Sequence, residues 1–222
     1  MTGTVFNPTS ISQADGTTNL MDTLGKAGEQ LVAELHGKYY TQTYRGTLFY
    51  ASSAPGTPVV IPAFGATSIT GLPLWNPAGS NKNIIPVRLT IAQITAASVA
   101  NTKGWTILQN AGSTLATAAP MSVFTQITAT RGCGLSNQAL GVGNSVALVG
   151  SAATLTAACT TFCSMGFTLG TGAVTVPSQQ SVFSYDFDGT LVIQPGSVFI
   201  PAGSVADTGT YNLSLTWYEA PL

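Results

Sequence analysis

The sequence predicts an all-β fold, an antiparallel β-sandwich (jelly-roll-like) with an N-terminal arm and one amphipathic helix. Two observations predict it: many short β-type runs follow residue 38, and Gly and Pro turns separate them without intervening helical periodicity. The length of 222 residues suits one sizeable domain. We therefore divide the chain into an arm and helix, residues 1–38, and a β-sandwich domain, residues 39–222.

The N-terminal region is predicted to begin as an arm and continue as a helix. Residues 1–18 contain Asn, Pro, Ser, Gly and Thr without a period, which is typical of an extended arm. Over residues 19–36, apolar side chains recur every three or four positions and predict one apolar stripe. Asn19 suits the N-cap, and Gly37 suits the position after the helix. The stripe includes Leu20, Leu24, Leu31 and Leu35.

The rest of the chain consists of short runs that we interpret as strands. They cover residues 45–52, 59–62, 83–95, 104–108, 122–130, 146–156, 162–169, 182–187, 190–194, 197–200 and 210–218. The Asp188-Gly189 pair predicts a hairpin turn between two of them. In the last strand, one set of alternate residues is expected to face the core: Tyr211, Leu213, Leu215 and Trp217. The other set is expected to meet solvent or a partner: Asn212, Ser214, Thr216 and Tyr218.

The scarcity of charge is the most informative feature of the composition. Charged residues make up 7% of the chain and the net charge is −1, whereas globular domains usually carry about 25%. Such a surface forms hydrogen bonds well but repels other copies weakly, so we expect other chains to cover much of it. The absence of a basic cluster argues against a nucleic-acid partner, and the absence of a long apolar run argues against a membrane-spanning helix. The segment 132–176 is interpreted as a β hairpin buried against other subunits, with a flexible insertion as the alternative.

One motif is typical of an enzyme. Residues 185–191, YDFDGTL, are similar to the signature of haloacid-dehalogenase-like phosphatases, which also need a lysine and further carboxylates for Mg²⁺. No Lys or Arg follows Arg131, and no carboxylate lies between the helix and this motif. The single histidine, His36, ends the predicted helix, so a catalytic triad also lacks its parts. We therefore expect no enzyme and no cofactor, and an enzyme built on Asp186 and Asp188 stays the remaining alternative.

The cysteines are three in number, Cys133, Cys159 and Cys163. We interpret them as reduced, buried thiols, while a Cys159–Cys163 link or a bond to a neighbouring copy stays open. No Cys-x-x-Cys pair occurs, and the single histidine lies far away in the sequence, so no metal site is predicted.

Aromatic residues are the candidates for contact with other chains. Tyrosine buries a large area while its hydroxyl stays satisfied, which suits an interface anchor. Trp75, Trp105 and Trp217 are most simply core residues. The candidate interface combines the leucines of the helix stripe with five aromatic residues: Tyr39, Tyr40, Tyr44, Trp217 and Tyr218. The alternative is that these side chains pack within the subunit.

Two stretches resemble structural proteins of tailed phages. The first comprises LHGKYY at 35–40, RGTLFY at 45–50 and LWNPAGS at 74–80, and the second runs from VFIPAG at 198–203 to YNLSLTWYE at 211–219. The resemblance is to small β-sandwich cement or decoration proteins that clamp capsid shells. It implies a virion protein, assembled in the host cytoplasm as a homo-oligomer (trimer or dimer) over joints of the major capsid protein. A tail-associated or receptor-binding protein, with a glycan groove lined by Trp or Tyr, is the alternative.

Overall fold

The structure is a computed structural model. It describes residues 37–54, 56–95, 97, 99–109, 121–127, 131–133, 145–159, 161–168, 182–206 and 208–222. Lys38–Leu222 forms one compact unit. The predicted arm and helix, residues 1–36, lie outside the described residues, so they stay predictions. Residues 134–144, 160 and 169–176 of segment 132–176 also lie outside them. The described strands of this segment, Leu148–Leu155 and Thr161–Thr168, pair with other strands and not with each other, so they do not form the predicted hairpin, while burial against other subunits stays a prediction.

The described part of the chain contains one short helix, α1 (Tyr40–Tyr44), and twelve strands. The strands are β1 Leu48–Ser52, β2 Ser68–Thr70, β3 Leu74–Trp75, β4 Lys82–Gln93, β5 Asn101–Leu108, β6 Met121–Gln126, β7 Arg131–Cys133, β8 Leu148–Leu155, β9 Thr161–Thr168, β10 Val182–Asp186, β11 Val198–Gly203 and β12 Tyr211–Pro221. Most of the predicted runs are strands in the structure.

The strands form two sheets that pack together, which confirms the predicted sandwich. One sheet has five strands in the order β10-β4-β12-β1-β7. The other has seven strands, in the order β2-β8-β3-β11-β5-β9, and β6 pairs with β8 beside it. Every pairing described between these strands is antiparallel.

The main core lies between the two sheets. Strand β12 alternates as predicted, and its inward side chains are nearly inaccessible to solvent: Tyr211, Leu213, Leu215 and Trp217. The Trp217 ring stacks on Phe49 of β1 with 6.0 Å between the ring centroids. Phe199 of β11 supplies the opposite wall from the second sheet. Because each fully buried large apolar side chain stabilises the fold by about 1.5–3 kcal/mol, this alternation determines which side of the five-stranded sheet faces outward.

A second apolar cluster covers the other side of the seven-stranded sheet. All six residues of β11 are buried, because Phe199 faces the main core while Val198 and Ile200 face the second cluster. Ile69 and Leu155 belong to this cluster and come from neighbouring strands of the same sheet. The centre of the seven-stranded sheet is therefore covered on both sides by the chain itself.

The segment around Asp188-Gly189 was predicted only in part. Both residues have positive φ, 48° and 77°, and the Thr190 amide donates to the Phe187 carbonyl at 2.8 Å, so the predicted turn is confirmed. The predicted hairpin is wrong, because the chain does not fold back on β10. After the turn it continues along β4, where Ile193 forms an isolated bridge to Ile84.

Other differences concern very short elements. Residues 59–62 and 190–194 were predicted as strands, but they contribute only isolated bridges, at Val59 and Ile193. Strands β2, β3 and β7 were not predicted. Each has three residues or fewer, which is too short for a period of two to stand out in the sequence.

Candidate interaction surface

The candidate surface is the side of the five-stranded sheet that faces away from the core, here called the outer face. Its side chains come from alternate positions of four strands: Tyr50, Ser52, Arg88, Thr90, Ala92, Val182, Ser184, Asp186, Asn212, Ser214, Thr216 and Tyr218. The register sets them in rows across the sheet, and one row runs Ser184, Thr90, Ser214, Ser52.

Small hydroxyl and amide side chains dominate the outer face. Such groups both donate and accept hydrogen bonds, and their small size keeps the surface flat. Two larger apolar groups stand out from it, Val182 at 62% exposure and Tyr50 at 49%. The face therefore offers hydrogen bonds and apolar area without an array of charges.

The two charges of the outer face neutralise each other. Arg88 and Asp186 stand opposite on neighbouring strands. The arginine donates from Nε to Oδ1 at 2.5 Å and from Nη2 to Oδ2 at 3.1 Å, which is the bidentate geometry typical of this pair. The hydrogen bond from Arg88 lowers the pKa of Asp186, and the same bond raises the pKa of Arg88. Both groups therefore stay ionised as a pair across the neutral range.

Two of the predicted interface tyrosines meet at one end of the outer face. The rings of Tyr39 and Tyr218 lie 6.4 Å apart between centroids. The Lys38 ammonium lies 5.4 Å from the centroid of the Tyr39 ring and forms an ion pair with Asp188. The hydrogen bond to Asp188 raises the pKa of Lys38. This second ion pair, like the first, adds no net charge to this end of the outer face.

The remaining predicted interface residues have different outcomes. Tyr40 is 45% exposed at the start of α1, so it stays a candidate. Trp217 is 1% exposed, because the alternation of β12 turns it into the core, and it offers no surface to a second chain. The side chain of Tyr44 and the four leucines of the helix stripe lie outside the described residues. The interface therefore stays a prediction for every one of these residues except Trp217.

Sequence reasoning missed Glu219, a buried carboxylate that joins the two sheets. Its Oε1 accepts hydrogen bonds from Ser145 Oγ at 2.7 Å and from the amides of Val146 and Ala147 at 2.9 and 3.1 Å. Its Oε2 pairs with Lys82 Nζ at 3.1 Å. The signal was present in the sequence, because Glu219 has the same parity in β12 as the buried residues, and a charge on the core face needs partners.

All three cysteines are free thiols. Cys133 and Cys159 are buried as predicted, while Cys163 is half-buried, and the alternative Cys159–Cys163 bond is not formed. Burial raises the pKa of the Cys159 thiol, and a hydrogen bond with Thr106 opposes that rise. The buried thiols therefore act as small apolar side chains.

The described residues do not provide the parts of two other kinds of site. They contain no group of three or more His, Cys, Asp or Glu side chains that could hold a metal ion. No helix among them has the length and apolar character needed to cross a membrane. Comparison of the chain with protein-family models, curated proteins and solved structures found no match.

Proposed function

We propose that this chain is a virion structural protein, one that stabilises a phage capsid by packing across joints between capsid subunits. The observation that carries the proposal is the outer face, with its small polar side chains and its internally neutralised charges. Covering a charged surface requires a partner for each charge, whereas Arg88 and Asp186 of the outer face already pair with each other. Such a surface suits contact with other protein chains.

The outward sides of the two sheets support this proposal, because the described residues cover one of them with apolar side chains and not the other. The seven-stranded sheet carries its own apolar cover, the second cluster on β11. On the five-stranded sheet, the described residues provide no such cover over Tyr50 and Val182. A second protein that packs there would bury apolar area, which is favourable, and would satisfy the hydroxyl groups by hydrogen bonds.

The partners belong to the proposal as well. A homo-oligomer that contacts the major capsid protein within the virion follows from the resemblance to cement and decoration proteins. Contact through uncharged groups implies that assembly depends little on salt, because salt screens charge interactions and leaves apolar burial in place. No nucleic acid and no membrane are part of this proposal.

The experiment is co-sedimentation of the full chain with capsids, using a charge placed at the centre of the outer face. Ser214→Glu puts an unpaired carboxylate on β12, where a covering protein would have to desolvate it at a cost of several kcal/mol. We expect at least tenfold weaker binding, since about 1.4 kcal/mol corresponds to a factor of ten. The matched control is Thr125→Glu, at an exposed position of β6 in the other sheet. Equal binding by both variants and the unmodified chain contradicts the proposal.

Tyr50 supports the second candidate function, a tail-associated or receptor-binding protein with a glycan-binding face. An exposed aromatic ring among hydroxyl groups can stack on a sugar, and Tyr50 has this setting. The predicted groove lined by Trp does not occur in the described residues, since Trp105 and Trp217 are core residues and Trp75 packs against Phe124. Glycan-array binding that Tyr50→Ala abolishes would favour this function over the first.

A further inference from the structure

We propose that β10 is the strand through which two copies of this chain pair. The two strands run antiparallel about a two-fold axis at Ser184, and the two five-stranded sheets become one continuous sheet. The inference deepens the proposed function, because it names a second copy of the chain as a partner and the edge by which it binds.

The backbone of β10 has a free side. The strand lies at the end of the five-stranded sheet. The Phe187 amide donates to the Val87 carbonyl at 2.9 Å, so by alternation residues 183 and 185 also point their backbone groups at β4. The N–H and C=O groups of Val182, Ser184 and Asp186 therefore point away from β4. No described residue pairs with them, and such a row of groups is a template for another strand.

The edge lacks the features that usually prevent strand pairing. The sequence of β10, VFSYD, contains no proline and no lysine, and its register with β4 is regular. The one charge, on Asp186, is neutralised by Arg88. At the other end of this sheet, β7 has only three residues. Strand β10 is therefore the longer of the two edges of the five-stranded sheet.

The strand is complementary to itself about Ser184. Antiparallel pairing there overlaps all five residues of β10 and forms about six backbone hydrogen bonds. Phe183 and Tyr185 point inward and are only half-buried against the core. In this register Phe183 stands opposite Tyr185 of the second copy, at a Cβ separation of about 5 Å that suits an aromatic pair. The pairing covers the exposed part of both rings and much of Val182.

The test is a charge exchange at Ser184, which stands opposite itself across the axis with about 5.5 Å between the two Cα atoms. The exposed side chain makes Ser184→Lys and Ser184→Glu compatible with the folded monomer. By sedimentation velocity of the full chain, we expect the unmodified protein at twice the chain mass of 22.7 kDa. Each variant alone is expected at one chain mass, and an equimolar mixture of the two is expected to restore the two-chain species.

Two further variants separate pairing from folding. Ser184→Ala keeps the outward N–H and is expected to remain paired. Ser184→Pro removes that N–H without touching the ladder to β4, so we expect a folded single chain. The control is to measure the circular dichroism spectrum and the thermal midpoint of each variant, which test whether it is folded.

The outcomes distinguish this inference from the function on which it rests. An unmodified protein that is a single chain overturns the pairing, and so do Lys and Glu variants that associate as it does. If the Lys and Glu variants associate as the unmodified protein does, the chain forms an oligomer through a surface other than β10. A protein that pairs as described but never sediments with capsids overturns the proposed function and supports the pairing.

Discussion

Replacement of Glu219 by alanine tests how the two sheets are joined. Glu219 is 4% exposed and lies on β12 of the five-stranded sheet, while its Oε1 binds the segment that leads into β8 of the other sheet. The substitution removes the acceptor of four donors. Ser145 Oγ and the amides of Val146 and Ala147 donate to Oε1, and Lys82 Nζ donates to Oε2.

The size of the effect follows from which donors can reach water. A buried donor without an acceptor costs about 1–3 kcal/mol. Ala147 is fully buried, whereas Ser145 and Val146 are half-buried and regain part of their hydration. We therefore expect a loss of about 3 kcal/mol in the free energy of unfolding. For a domain of this size, that corresponds to about 6–12 °C in the thermal midpoint.

The assay is urea denaturation, with hydrogen exchange of the Val146 and Ala147 amides as the local probe. Glu219→Gln keeps a carbonyl oxygen for the same donors and loses only the ion pair. Lys82→Ala removes the pair from the other side, and because the Lys82 side chain is 36% exposed, water screens that pair. The expected order of destabilisation is Glu219→Ala, then Glu219→Gln, then Lys82→Ala. A loss below about 1 kcal/mol for Glu219→Ala, with unchanged exchange at both amides, refutes the reasoning.

Three other predictions concern single positions. Gly104→Ala places a methyl group onto the Cys163 carbonyl oxygen of the paired strand, so we expect the free energy of unfolding to fall by about 3 kcal/mol or more. A denaturation midpoint equal to that of the unmodified chain would contradict the pairing of β5 with β9. Gly189→Ala meets no atom within 4 Å but must keep φ near 77°, so only about 1 kcal/mol is expected. Asp186→Asn removes the pair with Arg88. Because the pKa of Asp186 in the folded chain is lowered from its ordinary value of 3.8, the pair stabilises the folded chain at pH values above 3.8. This stabilisation is lost as the pH falls below 3.8 and the carboxylate becomes protonated. The stability difference between Asp186→Asn and the unmodified chain should therefore be present at neutral pH and vanish in acid, and a difference independent of pH argues against the pair.

The sequence predicted most of the long strands and, for β12, which residues face the core. In β12, the alternation of apolar and polar residues predicted both the core side and the outer face. Successive side chains of a strand point to opposite faces, so only one orientation buries the whole apolar set. The Asp188-Gly189 turn was also predictable, since both positions need positive φ. The direction of the chain after that turn was not, because Ile193 bridges β4 across a large sequence separation.

The candidate site was predictable only in fragments. Tyr39 and Tyr218 were named separately, but their contact depends on tertiary packing that local patterns do not encode. The outer face emerges only when the register sets rows of four strands side by side. Trp217 was named both for the core and for an interface, and the alternation of its own strand favoured the core.

Whether copies of this chain associate through largely uncharged contacts is tested most directly by sedimentation equilibrium of the full chain. It should be measured over a range of protein concentrations in about 0.1 M and 1 M NaCl, between which the screening length falls from about 10 to 3 Å. We expect a mass of at least two chains at micromolar concentration, unchanged at the higher salt. A single-chain mass at every concentration, or dissociation by the added salt, would contradict this expectation.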